Sequence, residues 1–501
     1  MPGGKTDFAL ATAPDEASTA RFLSELDNRL AAEPVVDAGA LAELFNLAAG
    51  AGPLQGPLTA VLQGFLLRRT LAHARAHTRY YGSRAEYDRA LTTELGVWTS
   101  LADLPTINRQ TVVRHFAEFI ADDVHLRSVC HTSGTTGQPL EVYKSFEEVY
   151  FIGEFFSRMF AEALRQLPLL PLTLSFPTAH HGVPIPIPGP GIGFASGVTD
   201  DTLIRDAVRV LETEYHVAGH EPRISILSGM AFQVLFFTSY LLEQQIEPKK
   251  FGLKAVNIAG GFVPAHWRRF LERSWDAPVN DRFSLTESAA GASRCRTCQW
   301  FMPDPHQVME VLDCDTGRVL DEGIGRLIVT NLHPFVQMQP LIRYETGDVV
   351  ECRRCFCSPL QKIRFLGREK NSISRMRSGE RRWLVFSAEL HEVLATIPDL
   401  RIYDWFSNVR VARDRTVGSL PIMSLKTEPA EGRLRIVLSA ELKYAPHCYP
   451  DRLAELTAMI RRHLESVEGT TFAEDLASGE VEFDCRFVPP EALTDPYVIK
   501  V

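Results

Sequence analysis

Between Ser133 and Gly137 the sequence HTSGTTGQPLEVYKS places three hydroxyl side chains and two glycines in five consecutive residues. Gly134 and Gly137 let backbone N–H groups approach a ligand closely, while Ser133, Thr135 and Thr136 add rotatable hydroxyl donors. That chemistry suits phosphate oxygens. It is not a Walker loop, which needs a Lys-Ser/Thr directly after its last glycine, because Gly137 is followed by Gln138 and Pro139. A plain surface turn has the same composition. Four later stretches carry groups that could complete such a site. Gly260 and Gly261 follow an apolar run in AVNIAGGF, where a strand end could approach a ligand or simply turn. Thr286 and Glu287 in DRFSLTES set a hydroxyl beside a carboxylate, a pair that can touch phosphate and hold Mg²⁺. Asp348 in LIRYETGD could accept two hydrogen bonds from a ribose diol, and Arg368 follows in LGREKN. Cys295-x-x-Cys298 and Cys352-x-x-Cys355-x-Cys357 have zinc-knuckle spacing, with unligated buried thiols as the plain alternative.

The elements that must position these residues follow from periodicity. Residues 16 to 120 read as helices, with apolar side chains at three- and four-residue steps in LTAVLQGFLLRRTLAHARAH. From 121 to 367 helical stretches alternate with short apolar runs such as LPLTLSF and ISILSG, which predicts an α/β core with largely parallel strands. The proline-rich PIPIPGPGIG can be neither a helix nor a central strand. Residues 368 to 382 are polar and basic and read as a hinge, with Arg375, Arg377, Arg381 and Arg382 solvated or facing an anionic ligand. Residues 383 to 501 read as a small α+β unit, with strands expected near NVRVAR, LRIVLSA and EVEFDCRFV.

A length of 501 residues exceeds one core, so at least two domains are expected. The 53 basic residues are outnumbered by 62 acidic ones, which argues against nucleic-acid or anionic-membrane partners. Neither a secretory leader nor an apolar run of membrane-spanning length is seen, and nine cysteines are a poor disulfide framework, so a cytoplasmic protein is expected. No G-x-S-x-G nucleophile elbow appears, which disfavours a hydrolase.

The order of these stretches, SGTTG, GG, aromatic-x-x-Thr-Glu, RYETGD and then GR at a domain boundary, resembles the adenylate-forming (acyl-activating) superfamily, and within it the phenylacetate–coenzyme A ligase branch. The resemblance covers about 120 to 380 well and the rest loosely. It implies an α/β fold: a large multi-layer adenylating domain carrying a small mobile α+β lid. It also implies a two-step reaction in which ATP and Mg²⁺ activate an aromatic carboxylic acid as acyl-adenylate and coenzyme A then displaces AMP. An amine or hydroxyl acceptor is one alternative, and a nucleotide-binding homologue without turnover is another. A homodimer is compatible with this reading.

Carried over by position, Ser133, Gly134, Thr135, Thr136 and Gly137 grip the phosphates, Phe283 packs on adenine, Thr286 meets the α-phosphate and Glu287 holds Mg²⁺. Asp348 and Arg368 bind the ribose, while Gly260, Gly261, His180 and His181 border the acyl pocket. Ser284 stands where the family has glycine, and Lys370 and Asn371 stand where its hinge carries carboxylates. The usual Gly-Lys near the C-terminus is missing, so Lys500 is the candidate adenylation lysine. The resemblance also implies a structural zinc, with Cys295, Cys298, Cys355 and Cys357 as ligands and Cys352 or His306 as substitutes, leaving Cys314 aside.

Overall fold

In the computed structural model the described residues are 23–24, 26–27, 30, 36–92, 97–132, 140–177, 192–402, 421–430 and 433–493. The fold is mixed α/β, as the alternation predicts. Helices Ala38–Gly50 and Gln55–His77 open the chain, followed by shorter helices ending with Arg109–Arg114. Asp37 and Asn108 cap the first and last of these, each carboxyl or amide oxygen accepting a backbone N–H of the first turn. Their apolar faces close on Phe155 of the helix Phe146–Arg165 and on Phe335 and Ile342, forming one core.

Strands β1 (Leu126–His131) and β2 (Glu141–Ser145) pair antiparallel on either side of the hydroxyl-rich loop. The main sheet then takes β3 (Leu170–Phe176), β4 (Ile192–Ala195), β5 (His220–Met230), β6 (Ala255–Ala259), β7 (Val279–Ser284), β8 (Gly291–Arg294), β9 (Phe301–Pro303), β10 (Gln307–Leu312), β11 (Gly323–Asn331), β12 (Tyr344–Cys355) and β13 (Ser358–Arg368). Its order is β10-β11-β12-β13-β9-β8-β7-β6-β5-β3-β4. The expected parallel pairing holds from β4 through β3, β5 and β6 to β7. Beyond β7 every pair is antiparallel. Connection length explains the change. Helices Asp201–Glu212, Ala231–Glu243 and Ala265–Trp275 supply crossovers between parallel strands, whereas β12 reaches β13 through Phe356 and Cys357 alone, too short for a crossover. Leu174, Leu227 and Ile258 of the parallel half pack under Val234, Phe237, Leu271 and Trp275 of the helices.

The stretch read as a hinge holds the 3₁₀ turn Glu369–Asn371, then Ser372 and a hairpin of β14 (Ile373–Arg377) and β15 (Glu380–Val385). Ser378 and Gly379 both have positive φ, 54° and 84°, which is the turn a two-residue hairpin needs. Arg377 and Arg382 are exposed, as a solvated stretch requires, and all four arginines carry acidic partners. Arg375 and Arg377 pair with Asp475 and Glu480, Arg381 with Asp315, and Arg382 with Glu380. The small unit continues with β16 (Met423–Ala430), β17 (Arg433–Glu441) and β18 (Val481–Val488). β17 pairs antiparallel with β16 and parallel with β18. Helices Ser387–Leu394, Pro450–Glu465 and Phe472–Ala477 cover this sheet over their own core. The strand expected near NVRVAR, and residues 184–191 of PIPIPGPGIG, lie outside the described residues, while Ile192 and Gly193 of that stretch open β4.

Candidate active site

Gly260, Gly261, Thr286 and Glu287 follow the C-terminal ends of the parallel strands β6 and β7, where an open α/β sheet forms its crevice. Gly260, directly after β6, adopts φ 74°, and a Cβ there would lie 2.2 Å from Met230 Cε. The positive φ favours glycine, and an added Cβ would have to push aside the flexible end of the Met230 side chain. Gly261 follows with φ 137° and open space where its Cβ would be. Thr286 and Glu287 form the turn after β7. The Glu287 carboxylate is buried and accepts a hydrogen bond from the Tyr344 hydroxyl at 3.1 Å, while its backbone carbonyl accepts one from Asn331 Nδ2 at 2.8 Å. Burial, and then the Glu287 charge, raise the Tyr344 phenol well above its usual range, so Tyr344 acts here as a donor.

Strand β12 brings Asp348 to the same place through a bulge. Glu345 to Val349 run opposite only Ile328 to Arg326 of β11, and Gly347 takes φ 79°. Thr346 Oγ1 spans the irregularity, donating to Leu327 C=O at 3.1 Å and accepting from Asp348 N–H at 3.1 Å. Asp348 is buried, with Oδ1 3.2 Å from Arg368 Nε. Arg368 also donates to the Thr346 carbonyl. Burial raises the Asp348 carboxyl and the Arg368 charge opposes that rise. Its Oδ2 is buried and has no hydrogen-bond partner among the described residues. A buried carboxylate oxygen left in that state is costly unless a ligand hydroxyl donates to it, so the residues present fit a ribose diol.

One cation that the sequence motifs did not single out belongs to this region. Arg109 donates to Thr132 Oγ1 at 3.1 Å, one residue before the hydroxyl-rich loop. Burial, and then the charges of Arg368 and Arg109, lower the Lys370 ammonium. Nothing in the spacing of Arg109 from the other motifs announces this. Tyr344, by contrast, stands inside LIRYETGD and was legible as part of it. Phe283 packs against Phe365, ring centroids 4.2 Å apart, beside the core of the antiparallel strands. Ser284 is exposed. Ser133, Gly134, Thr135, Thr136, Gly137, His180, His181 and Lys500 lie outside the described residues.

The cysteine group forms a separate site. Cys295, Cys298 and Cys357 bring their sulfurs within 4.8 Å of one another, and Cys355 Sγ lies 3.2 Å from Cys357 Sγ. The Cys295–Cys357 separation of 3.8 Å matches the edge of a tetrahedron with zinc–sulfur bonds of about 2.3 Å. Lys362, fully buried, donates to Cys357 Sγ at 2.8 Å and Cys298 Sγ at 3.4 Å. Burial raises the Cys295 thiol, but the N–H groups of Cys298 and Thr297 and the Lys362 ammonium outweigh it and bring it to about 6. The donor set thus fits a thiolate-loving ion. The two substitute ligands are corrected. Cys352 is buried against Leu320 C=O at 3.7 Å, and burial pushes its thiol up to about 11. His306 sits in the helical core among Phe155, Phe156 and Phe335.

The small unit docks beside the glycine pair. Glu392 accepts from Ala265 N–H through both carboxylate oxygens, at 3.1 and 2.9 Å, capping the helix that follows Gly260 and Gly261. His391 faces Phe262 with ring centroids 5.7 Å apart.

No family model and no curated protein matches the chain. Among solved structures it is similar to 2-hydroxyisobutyryl-CoA ligase in several states. An open conformation in complex with 2-HIB-AMP and CoA matches at 14% identity and TM-score 0.58, over 88% of this chain and 91% of that one. The postadenylation state in complex with R3-HIB-AMP matches at 15% identity and TM-score 0.57, over 86% of each chain. The thioesterification state matches at 16% identity and TM-score 0.50, again over 86% of each. A likeness that runs through both the sheet and the small unit gives this chain the fold of the adenylate-forming ligases.

Proposed function

We propose that this protein is an AMP-forming acid–thiol ligase that activates an aromatic carboxylic acid with ATP and passes the acyl group to coenzyme A. The observation that carries the reading is the buried, half-satisfied carboxylate of Asp348, clamped by Arg368 at the strand-end crevice. Its free oxygen is matched to the hydroxyl of a ribose. Glu287, oriented by Tyr344, is the ligand for Mg²⁺, which when bound neutralises charge on the nucleotide phosphates. Arg109, bonded to Thr132, together with Arg368 and Lys370 supplies positive charge, which an anion attacking a polyanion needs. Thr286 contacts the α-phosphate, Gly260 and Gly261 border the acyl group, and Lys500 provides the adenylation cation when the small unit closes. The cysteine group holds a structural zinc away from the chemistry.

The test is pyrophosphate release across a panel of benzoic and other acids, with and without coenzyme A. The reading expects release with an aromatic acid and thioester with coenzyme A. Release that coenzyme A leaves unconverted would reassign the acceptor. No release with any acid would overturn the ligase.

A further inference from the structure

A second group of metal-ligating side chains lies outside the nucleotide site and the cysteines. His73 and His77 stand one turn apart at the end of the helix Gln55–His77, so both rings project from one face. Asp123 comes from the turn ahead of β1, which is held to the helix end by Asp122 N–H donating to His77 C=O at 3.1 Å. Asp123 Oδ2 is 3.6 Å from His73 Nδ1 and 3.5 Å from His77 Nε2.

The outer nitrogens of both rings are engaged. His73 Nε2 is 3.0 Å from the Gln337 carbonyl, and His77 Nδ1 is 3.2 Å from the Asp122 carboxylate. Those oxygens only accept, so both outer nitrogens carry the hydrogen. In neutral imidazoles both inner nitrogens then present lone pairs to a carboxylate oxygen. The three ligand atoms lie within 4.8 Å of one another, so three lone pairs converge on one point. The His73 and His77 rings lie 5.1 Å apart, with His333 tilted against His73 at 4.6 Å. A single divalent cation would accept all three donors.

We propose that His73, His77 and Asp123 bind a divalent transition-metal ion of the zinc type. Zinc bonds of about 2.0–2.1 Å set tetrahedral edges near 3.4 Å, which the observed separations approach. Each imidazole is backed by an acceptor on its far nitrogen, the outer shell that orients metal-bound histidines. His73 is buried, while the His77 and Asp123 side chains are about one-third exposed, leaving a route for the ion and room for water as a further ligand. The ion would tie the end of the long helix to the segment leading into β1.

Cobalt(II) added to chelator-stripped full-length protein tests this, because its visible bands distinguish nitrogen–oxygen sites from thiolate sites, which add intense near-ultraviolet charge transfer. The parent should show visible bands from a nitrogen–oxygen site. His77→Gln and Asp123→Asn, each checked for folding by circular dichroism, should lose those bands and keep any thiolate signal. Asp122→Ala, which removes only the outer partner, should weaken binding by about 10–100-fold. A parent with thiolate bands alone, or nitrogen–oxygen bands that persist in either folded single variant, would overturn the proposal.

Discussion

Asp348 and Glu287 are both buried carboxylates within one crevice, yet their partners assign them different work. Asp348 has one oxygen on Arg368 and one without a partner, so it is a receptor for donors. Asp348→Ala should weaken ATP binding roughly 10- to 150-fold, the worth of a hydrogen bond to a charged group, with a smaller effect on turnover at saturating nucleotide. Glu287 accepts a hydrogen bond from the Tyr344 phenol and is read as the ligand for a cation. Glu287→Gln should instead cut adenylate formation about a hundred- to a thousandfold at saturating ATP and Mg²⁺. Pyrophosphate-release kinetics separate the two, and an unchanged rate in Glu287→Gln would remove Glu287 from the metal. The thiols belong to a third class. Purified protein should hold about one zinc in the cysteine group, and Cys357→Ser should lower the thermal midpoint while leaving ATP affinity near the parent's. Metal analysis and calorimetry check both halves.

At the scale of elements, the crevice depends on how closely β5 and β6 end beside one another. Gly260 serves two needs there, its positive φ and its lack of a Cβ against Met230. Gly260→Ala should therefore destabilise the fold through two separable costs. A double-mutant cycle with Met230→Ala tests this: removing the Met230 side chain should cancel the steric part, while about 1–2 kcal/mol from the left-handed backbone stays. Complete cancellation in urea titrations would mean the backbone is unstrained. The bulge in β12 works in the same manner, since it turns Asp348 toward Arg368 where a regular ladder would continue.

For the molecule as a whole, the contact between the two units is the part open to test. Glu392 caps the helix beside the glycine pair, and burial raises its carboxyl. Glu392→Ala should loosen docking by about 0.5–2 kcal/mol, the usual worth of a cap, and expose the turn at Glu369–Asn371 to limited proteolysis. Next to it, burial lowers His391 to about 4. An unfolded histidine titrates near about 6.5, so between the two values the unfolded chain binds more protons. His391 thus contributes stability that is complete above about pH 6.5 and declines as pH falls toward 4, by up to about 3 kcal/mol. Urea midpoints measured from pH 7 to 4 should fall less steeply in His391→Gln. An identical slope would assign the acid sensitivity elsewhere.

What the sequence by itself determined is local in origin. Helix and strand periodicities, the glycines that a strand end requires, and ordered motifs such as LIRYETGD and the cysteine knuckles are written in short windows. They were enough to single out Gly260, which takes a positive φ at a strand end, and Asp348 and Arg368, which the fold pairs. What only the tertiary structure decided depends on residues far apart in the chain. The basic stretch after Arg368 looked like linker because its acidic partners, Asp315, Asp475 and Glu480, stand 66 to 105 positions away. The antiparallel half of the sheet escaped the alternation because strand direction is set by connection length and pairing, which apolar runs do not encode. His306 had the chemistry of a ligand and became part of an aromatic core, Lys362 entered the thiol group from β13, and His73 met Asp123 only because a helix end and a turn pack together. Side-chain chemistry is fixed by residue type, but partnership is fixed by packing, and packing closes distances that sequence separation cannot express.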